Sequence, residues 1–209
     1  MFTVGPVAEN TYIFRRDGSD RALIVDPGEE APKLLGAIEQ LGVTLEGILL
    51  THTHFDHVGA VAPVAKATGA PVYCPKLEVP VLQDIMSFVP WPGFGPFESW
   101  DPEETVEGGE QLELAGFSID VVFTPGHSPG HVTYSIADEQ AIFSGDVLFE
   151  QSVGRTDLPG GDWPTLLESI RTLADGLDPD TRVHPGHMGL TTLGRERKTN
   201  PFLRELATT

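Results

Sequence analysis

Between Thr51 and His57 the chain reads T-H-T-H-F-D-H, placing three imidazoles and a carboxylate directly after the apolar run Gly47-Ile48-Leu49-Leu50. That run reads as a short buried strand ending at Thr51. In extended backbone His52 and His54 project to the same side, so both can reach one metal ion. A turn into a helix then re-aims Asp56 and His57 toward a second ion. The plainer alternative is a polar histidine cluster that holds no ion. Three further donors weigh against it, each after an apolar, strand-like run. His127 stands in T-P-G-H after Val121-Val122-Phe123-Thr124, Asp146 in F-S-G-D after Ala141-Ile142-Phe143, and His187 in V-H-P-G-H after Arg182-Val183. A neighbouring glycine lets the backbone turn tightly beside each donor. Polar residues converging at strand ends are how α/β sheets build sites.

In this order, His52-x-His54-x-Asp56-His57, His127, Asp146 and His187 resemble the metallo-β-lactamase superfamily, over most of the chain. The resemblance implies an αββα sandwich of two mixed sheets flanked by helices, in a single domain over residues 1–209, with the metals at one edge. It also implies that His52, His54 and His127 hold a first metal, that Asp56, His57 and His187 hold a second, and that Asp146 bridges them. Imidazole at position 54, where the flavodiiron branch typically carries a carboxylate, is similar to the hydrolase pattern. Zinc is the expected pair of ions, although iron and manganese accept the same donors. Two divalent ions about 3.5 Å apart lower the pKa of a shared water from about 15.7 toward 7. The bridging hydroxide they supply removes any need for a serine or cysteine nucleophile, and no G-x-S-x-G elbow, glycine-rich phosphate loop or reactive Cys-His pair is expected. Asp56 is the candidate to orient that hydroxide and take up its proton. His131 and His184 are expected to be structural, with hydrogen bonds to a metal ligand as their other possible role.

Within the superfamily, Ser152–Gly161, T-P-G-H-S-P-G-H at 124–131 and Glu196–Arg204 resemble the glyoxalase II branch, the hydroxyacylglutathione hydrolases, in its compact bacterial form. The implied substrate is a small-molecule thioester, S-D-lactoylglutathione or a related acyl-thiol, whose thiolate leaving group suits zinc. The chain stops at Thr209, without the carboxy-terminal helical domain of the longer members. That domain supplies much of their glutathione grip, so another thiol carrier stays open. Arg155 is the candidate anchor for a substrate carboxylate, with a loop-stabilising arginine as the alternative. Two other activities compete: a mononuclear iron persulfide dioxygenase built on His52, His127 and Asp146, and another hydrolase of the superfamily such as a lactonase. A metal-binding module without activity is the third possibility.

Composition narrows the surroundings. The net charge is −18, from 31 acidic against 13 basic residues. Such a surface repels phosphate backbones and anionic lipid, which argues against nucleic-acid and membrane partners. No apolar run approaches the roughly 20 residues of a membrane helix, and no signal peptide is visible at the amino terminus, so a cytoplasmic location is expected. The lone cysteine, Cys74, reads as a small core residue. Oligomeric state is open.

The elements that must position the donors follow from periodicity. Strands are expected at Phe2–Val4, Thr11–Arg15 and Ala22–Val25, the last followed by the turn Asp26-Pro27-Gly28. Leu34, Leu35, Ile38 and Leu41 share one face of a helix over Ala31–Leu41, and a second helix is expected over Val58–Thr68. The second half predicts strands at Glu110–Leu114, Phe117–Thr124, His131–Ala137, Gln140–Ser144 and Arg182–His184, with a helix over Pro164–Ala174. Between the halves, 75–107 holds Pro90, Pro92, Pro96 and Pro102 among Phe88, Trp91, Phe94, Phe97 and Trp100. Dense proline argues against regular structure there. The rings suggest either a flap forming an apolar substrate wall or a loop pinned to the core.

Overall fold

The computed structural model describes residues 1–89 and 91–206. Pro90 and the side chain of Arg204, both quoted above, lie outside the described part. The first half runs β1 (Phe2–Val4), β2 (Glu9–Arg15), β3 (Arg21–Val25), α1 (Ala31–Leu41), β4 (Thr44–Leu49), α2 (Phe55–Val58), α3 (Val61–Thr68), β5 (Val72–Pro75), α4 (Val79–Leu82), α5 (Ile85–Phe88) and β6 (Glu104–Val106). The second runs β7 (Gln111–Leu114), β8 (Phe117–Phe123), β9 (Val132–Ile136), β10 (Ala141–Gly145), β11 (Leu148–Phe149), β12 (Ser152–Val153), α6 (Trp163–Gly176), β13 (Arg182–Pro185), β14 (Thr191–Thr192), α7 (Leu193–Thr199) and α8 (Pro201–Leu206).

Each half builds one six-stranded mixed sheet, ordered β1-β2-β3-β4-β5-β6 and β14-β13-β10-β9-β8-β7. Strands β3 to β6 are parallel, as are β10 and β13, and the remaining neighbours are antiparallel. The two-residue alternation of a strand sorts the core into layers. Ala22 and Ile24 of β3 face Leu34 and Ile38 of α1, whereas Leu23 and Val25 face Phe117, Ile119 and Tyr134 of the other sheet. Ile142 of β10 likewise packs on Leu166, Ile170 and Leu173 of α6, and its neighbour Phe143 turns inward. Near-continuous apolar runs such as Ala22-Leu23-Ile24-Val25 are what strands covered on both faces require. The result is helix, sheet, sheet, helix: the expected αββα sandwich.

Helix α1 occupies the expected residues, although Leu41 is exposed and the burial rests on Leu34 and Ile38. The expected helix over 58–68 is two pieces. Pro63, in the first turn of α3, has no N–H to bond the Gly59 carbonyl and would crowd it, so a continuous helix breaks at Gly59–Ala60. The segment 75–107 is more regular than its prolines suggested. Pro80 sits in the first turn of α4, where a missing N–H does no harm, and β6 adds a parallel edge strand. Among the described residues of this segment the longest irregular stretch is 91–103, and there Phe94, Phe97 and Trp100 pack partly against the first core while Trp91 stays exposed. Three of the rings are thus pinned to the core, as one of the two expectations had it. Cys74 is buried in the same core. Among the described residues no helix is long and apolar enough to cross a membrane.

Leu23 is wholly buried between the sheets. Leu23→Ala is expected to lower the unfolding free energy by about 2–5 kcal/mol, read from the urea midpoint. A midpoint unmoved by the substitution would contradict the packing described.

Candidate metal centre

Five loops meet at one edge of the sandwich, following β3, β4, β8, β10 and β13. They deliver Asp26, then His52 to His57, then His127, Asp146 and His187. All seven donors expected from sequence come together. His52 Nε2 lies 3.1 Å from His54 Nδ1, which lies 2.8 Å from His127 Nε2. In the second group Asp56 Oδ2 is 3.3 Å from His187 Nε2 and 3.8 Å from His57 Nε2. Asp146 stands between the groups. Its Oδ2 is 3.4 Å from His127 Nε2 and 3.5 Å from His187 Nε2, and its Oδ1 is 3.4 Å from His57 Nε2. Separations of 3–4 Å are those of donors sharing an ion at bond lengths near 2.0–2.2 Å.

What aims the rings is a set of bonds on their far sides. Asp26 Oδ1 accepts the Thr51 amide at 2.7 Å, and Oδ2 accepts the Thr51 hydroxyl at 2.6 Å and His57 Nδ1–H at 3.0 Å. With its own proton given to Asp26, Thr51 Oγ1 accepts from His52 Nδ1–H at 3.1 Å. His127 Nδ1–H donates to the backbone carbonyl of Arg155 at 2.8 Å. Each far-side proton fixes a tautomer, so Nε2 of His52, His57 and His127 offers a lone pair to the centre. Asp26, His52 and His57 also approach one another closely, but the oxygens of Asp26 are already committed to these donors.

The centre is short of positive charge. His57 Nε2 and Asp146 Oδ1 are buried without a hydrogen-bond partner. Burial, with the neighbouring imidazoles, holds His52 well below its usual pKa, and burial with His127 brings His54 to about 4, so these two rings stay neutral. Burial also disfavours charge on His57, yet Asp146 and Asp56 draw its pKa well above the usual value. Burial opposes an ionised Asp146 too, but His57, His187 and His127 keep its carboxyl far below the usual range. Positive charge belongs between these groups: a proton on His57 supplies it without an ion, and imidazole nitrogens with ionised carboxylates are donors that fit a divalent metal in its place. Gly186 makes room for the donors themselves: a Cβ there would collide with Asp146 Oδ1 and His57 Cε1.

Several contributors were not singled out as site residues from the sequence, and His131 takes the second of its two expected roles. Asp26 had read only as a turn residue, although a polar residue immediately after the apolar run of β3 parallels Thr51 after β4. Glu9 is buried behind His57, and burial raises its carboxyl well above the usual range. A proton there suits its 3.0 Å contact with Thr11 Oγ1, whose own proton goes to the Asp26 carbonyl at 2.7 Å. His131, expected to be structural, accepts the Asp146 amide on Nε2 at 3.0 Å and faces Thr124 Oγ1 through Nδ1, so it orients the bridging candidate. His184 faces the Ile142 carbonyl and lines a separate cavity of about 480 Å³ with Phe14 and Phe143. Gly126-His127-Ser128-Pro129-Gly130 fits the G-x-S-x-G spacing of serine hydrolases. Ser128 is buried, however, and its hydroxyl donates to Glu78 at 2.7 Å, so it is no free nucleophile.

The Arg155 guanidinium stays outside the donor cluster. It is exposed, paired with Asp157 at 2.6 and 2.7 Å, and lies 5.7 Å from the centroid of the Trp91 ring. Trp91 in turn meets Phe55 and Phe94, so an aromatic wall runs outward from the residue between His54 and Asp56.

A sandwich of two mixed sheets with this His/Asp edge defines a class. The model of the metallo-beta-lactamase superfamily matches residues 4–187, and the chain belongs to that superfamily. Among its relatives is "Hydroxyacylglutathione hydrolase GloC" of Haemophilus influenzae, 38% identical over 90% of this chain and 89% of that protein. The solved structure of the BLEG-1 B3 metallo-beta-lactamase is similar with TM-score 0.91 and 41% identity, over 96% of this chain and 97% of the other. TTHA1623 in a di-iron-bound form gives TM-score 0.85 and 43% identity, over 97% and 98%.

Asn in place of Asp26 would turn an amide NH2 toward donors that need an acceptor. Asp26→Asn is expected to weaken zinc binding about 10–100-fold in chelator competition. Wild-type affinity in that variant would mean that Asp26 does not aim the rings.

Proposed function

We propose that the chain is a metal-dependent thioester hydrolase of the glyoxalase II type, acting on S-D-lactoylglutathione or a related acyl-thiol. The observation that carries this reading is the convergence of two donor groups on Asp146, with Asp56 and His187 at the solvent side, their side chains 13% and 20% exposed. The hydroxyacylglutathione hydrolase from Haemophilus influenzae supports the thioester. His52, His54 and His127 would hold one ion, Asp56, His57 and His187 the other, and Asp146 both. Bound there, divalent ions supply Lewis acidity to the thioester carbonyl and ionise water at neutral pH. Zinc suits the donors, and the di-iron form of TTHA1623 supports iron as the alternative.

The residues divide the remaining work. Burial opposes charge on Asp56, but His57 and His187 keep its carboxyl below the usual range, so it stays ionised and can accept a hydrogen bond that orients the attacking water. Water adds to the thioester carbonyl, the carbon–sulfur bond breaks, and the products are a carboxylic acid and a thiol. Phe55, Phe94 and Trp91 form an apolar wall for the acyl-thiol. Arg155, at the outer end of that wall, exchanges Asp157 for a substrate carboxylate.

Metal content and turnover of S-D-lactoylglutathione in one preparation test the reading. Two equivalents of metal are expected, with thioester cleavage that chelation abolishes and added metal restores. One equivalent of iron with oxygen uptake on glutathione persulfide would replace it with the persulfide dioxygenase.

Arg155→Ala is expected to raise KM for an anionic thioester about tenfold while leaving kcat within about twofold, as loss of uniform binding does. An unchanged KM would remove Arg155 from substrate binding.

A further inference from the structure

Glu78 follows β5, in the middle segment, and brings no donor to the centre. Its residue is only 3% exposed. Oε2 accepts the Thr53 hydroxyl at 2.8 Å, and Oε1 accepts the Ser128 hydroxyl and the Gly130 amide, both at 2.7 Å. Thr53 lies between His52 and His54, and Ser128 follows His127. One buried carboxylate thus ties together the two loops that carry the first donor group. The strands behind these loops are joined where Val132 N–H meets the Thr51 carbonyl at 2.9 Å. Beyond that point Glu78 spans the gap between them. The approach is close: a Cβ on Gly130 would lie 2.7 Å from Glu78 Cγ and 2.9 Å from Oε1.

The second donor group is braced elsewhere. The Asn10 amide donates to the Gly186 carbonyl at 2.7 Å, and Asn10 Nδ2 reaches the Met188 carbonyl at 2.9 Å, on either side of His187. Asp26 holds His57. Glu78 touches none of these.

We propose that Glu78 is a positioning residue that sets His52 and His54 against His127, so that the first donor group depends on it for metal affinity and the second does not. The inference rests on reading the two groups as metal sites. A buried carboxylate with three converging donors is costly to remove, because each donor is left unpaired in a dry place. Two of these donors, Thr53 and Ser128, are one residue away from three imidazoles whose nitrogens must stay about 3 Å apart to share an ion.

Zinc titration of the full chain against a competing chelator tests this. Wild type is expected to bind two equivalents; in Glu78→Ala one weakens about 10–100-fold and the other stays within about threefold. Glu78→Gln should recover most of the loss, since its amide can donate to Thr53 Oγ1, which then donates to the Glu78 main-chain carbonyl, already 3.2 Å away. A purely structural role would lower the metal-free melting temperature while leaving the rise on adding zinc as in wild type. Wild-type affinity at both sites in Glu78→Ala would overturn the proposal. If that variant does not fold, Thr53→Val and Ser128→Ala decide: each removes one bond, and unchanged affinity in both would overturn it equally. A wild-type chain that binds no zinc would instead remove the donor groups as metal sites, and with them this role.

Discussion

Lone pairs outnumber protons where the two sheets meet at their edge, and the placement of the surrounding polar residues answers to that shortage. The ring protons of His52, His57 and His127 are drawn outward by Thr51, Asp26 and the Arg155 carbonyl. Turned inward are the opposite ring nitrogens, together with two carboxylates. Such an arrangement is unfavourable in a buried place unless a cation completes it. Orienting bonds of this kind fix tautomer and ring angle before any ion arrives, and so reduce the reorganisation that binding requires.

Topology explains why so many distant residues can share so small a space. Strands β3 and β4 run parallel in one sheet, and β8, β10 and β13 run in a common direction in the other, so their ends deliver five loops to one rim. The inward alternation of Leu23, Val25, Phe117 and Phe143 fixes how the sheets face each other, and therefore how loops from one approach loops from the other. A shift of one residue in β4 would send the imidazoles to the wrong side as surely as it would turn Leu49 from the inter-sheet core to the helix layer. Because donors come from both sheets, an ion bound at the rim also fastens the two halves of the sandwich to each other.

The sequence carried the donors well because their chemistry is rare and their spacing unusual. His52, His54, Asp56 and His57 announce themselves in six residues, and His127, Asp146 and His187 each follow a recognisable strand. Helix α1 was equally plain, bounded by Pro32 and Gly42. The supporting residues were not. Asp26, Glu9 and Glu78 are single carboxyls in a strongly acidic chain, and nothing in one-dimensional spacing separates a buried carboxylate from the many on the surface. Their partners lie between 25 and 52 residues away for Thr51 with Asp26 and for Gly130 with Glu78. Proline misled in two directions: Pro63 broke a helix that periodicity extended, and Pro80 began one where its density had argued for none.

Arg155 divides its duties between atoms of different permanence. Its carbonyl, which every amino acid possesses, holds His127; its guanidinium, which only this side chain has, reaches toward Trp91 at the entrance. With the role proposed for Arg155, descendants of this gene can exchange the side chain and change what they select without disturbing the donors around His127. A single position serves as a fixed strut and as a replaceable fitting, which gives a shared scaffold one route to many clients.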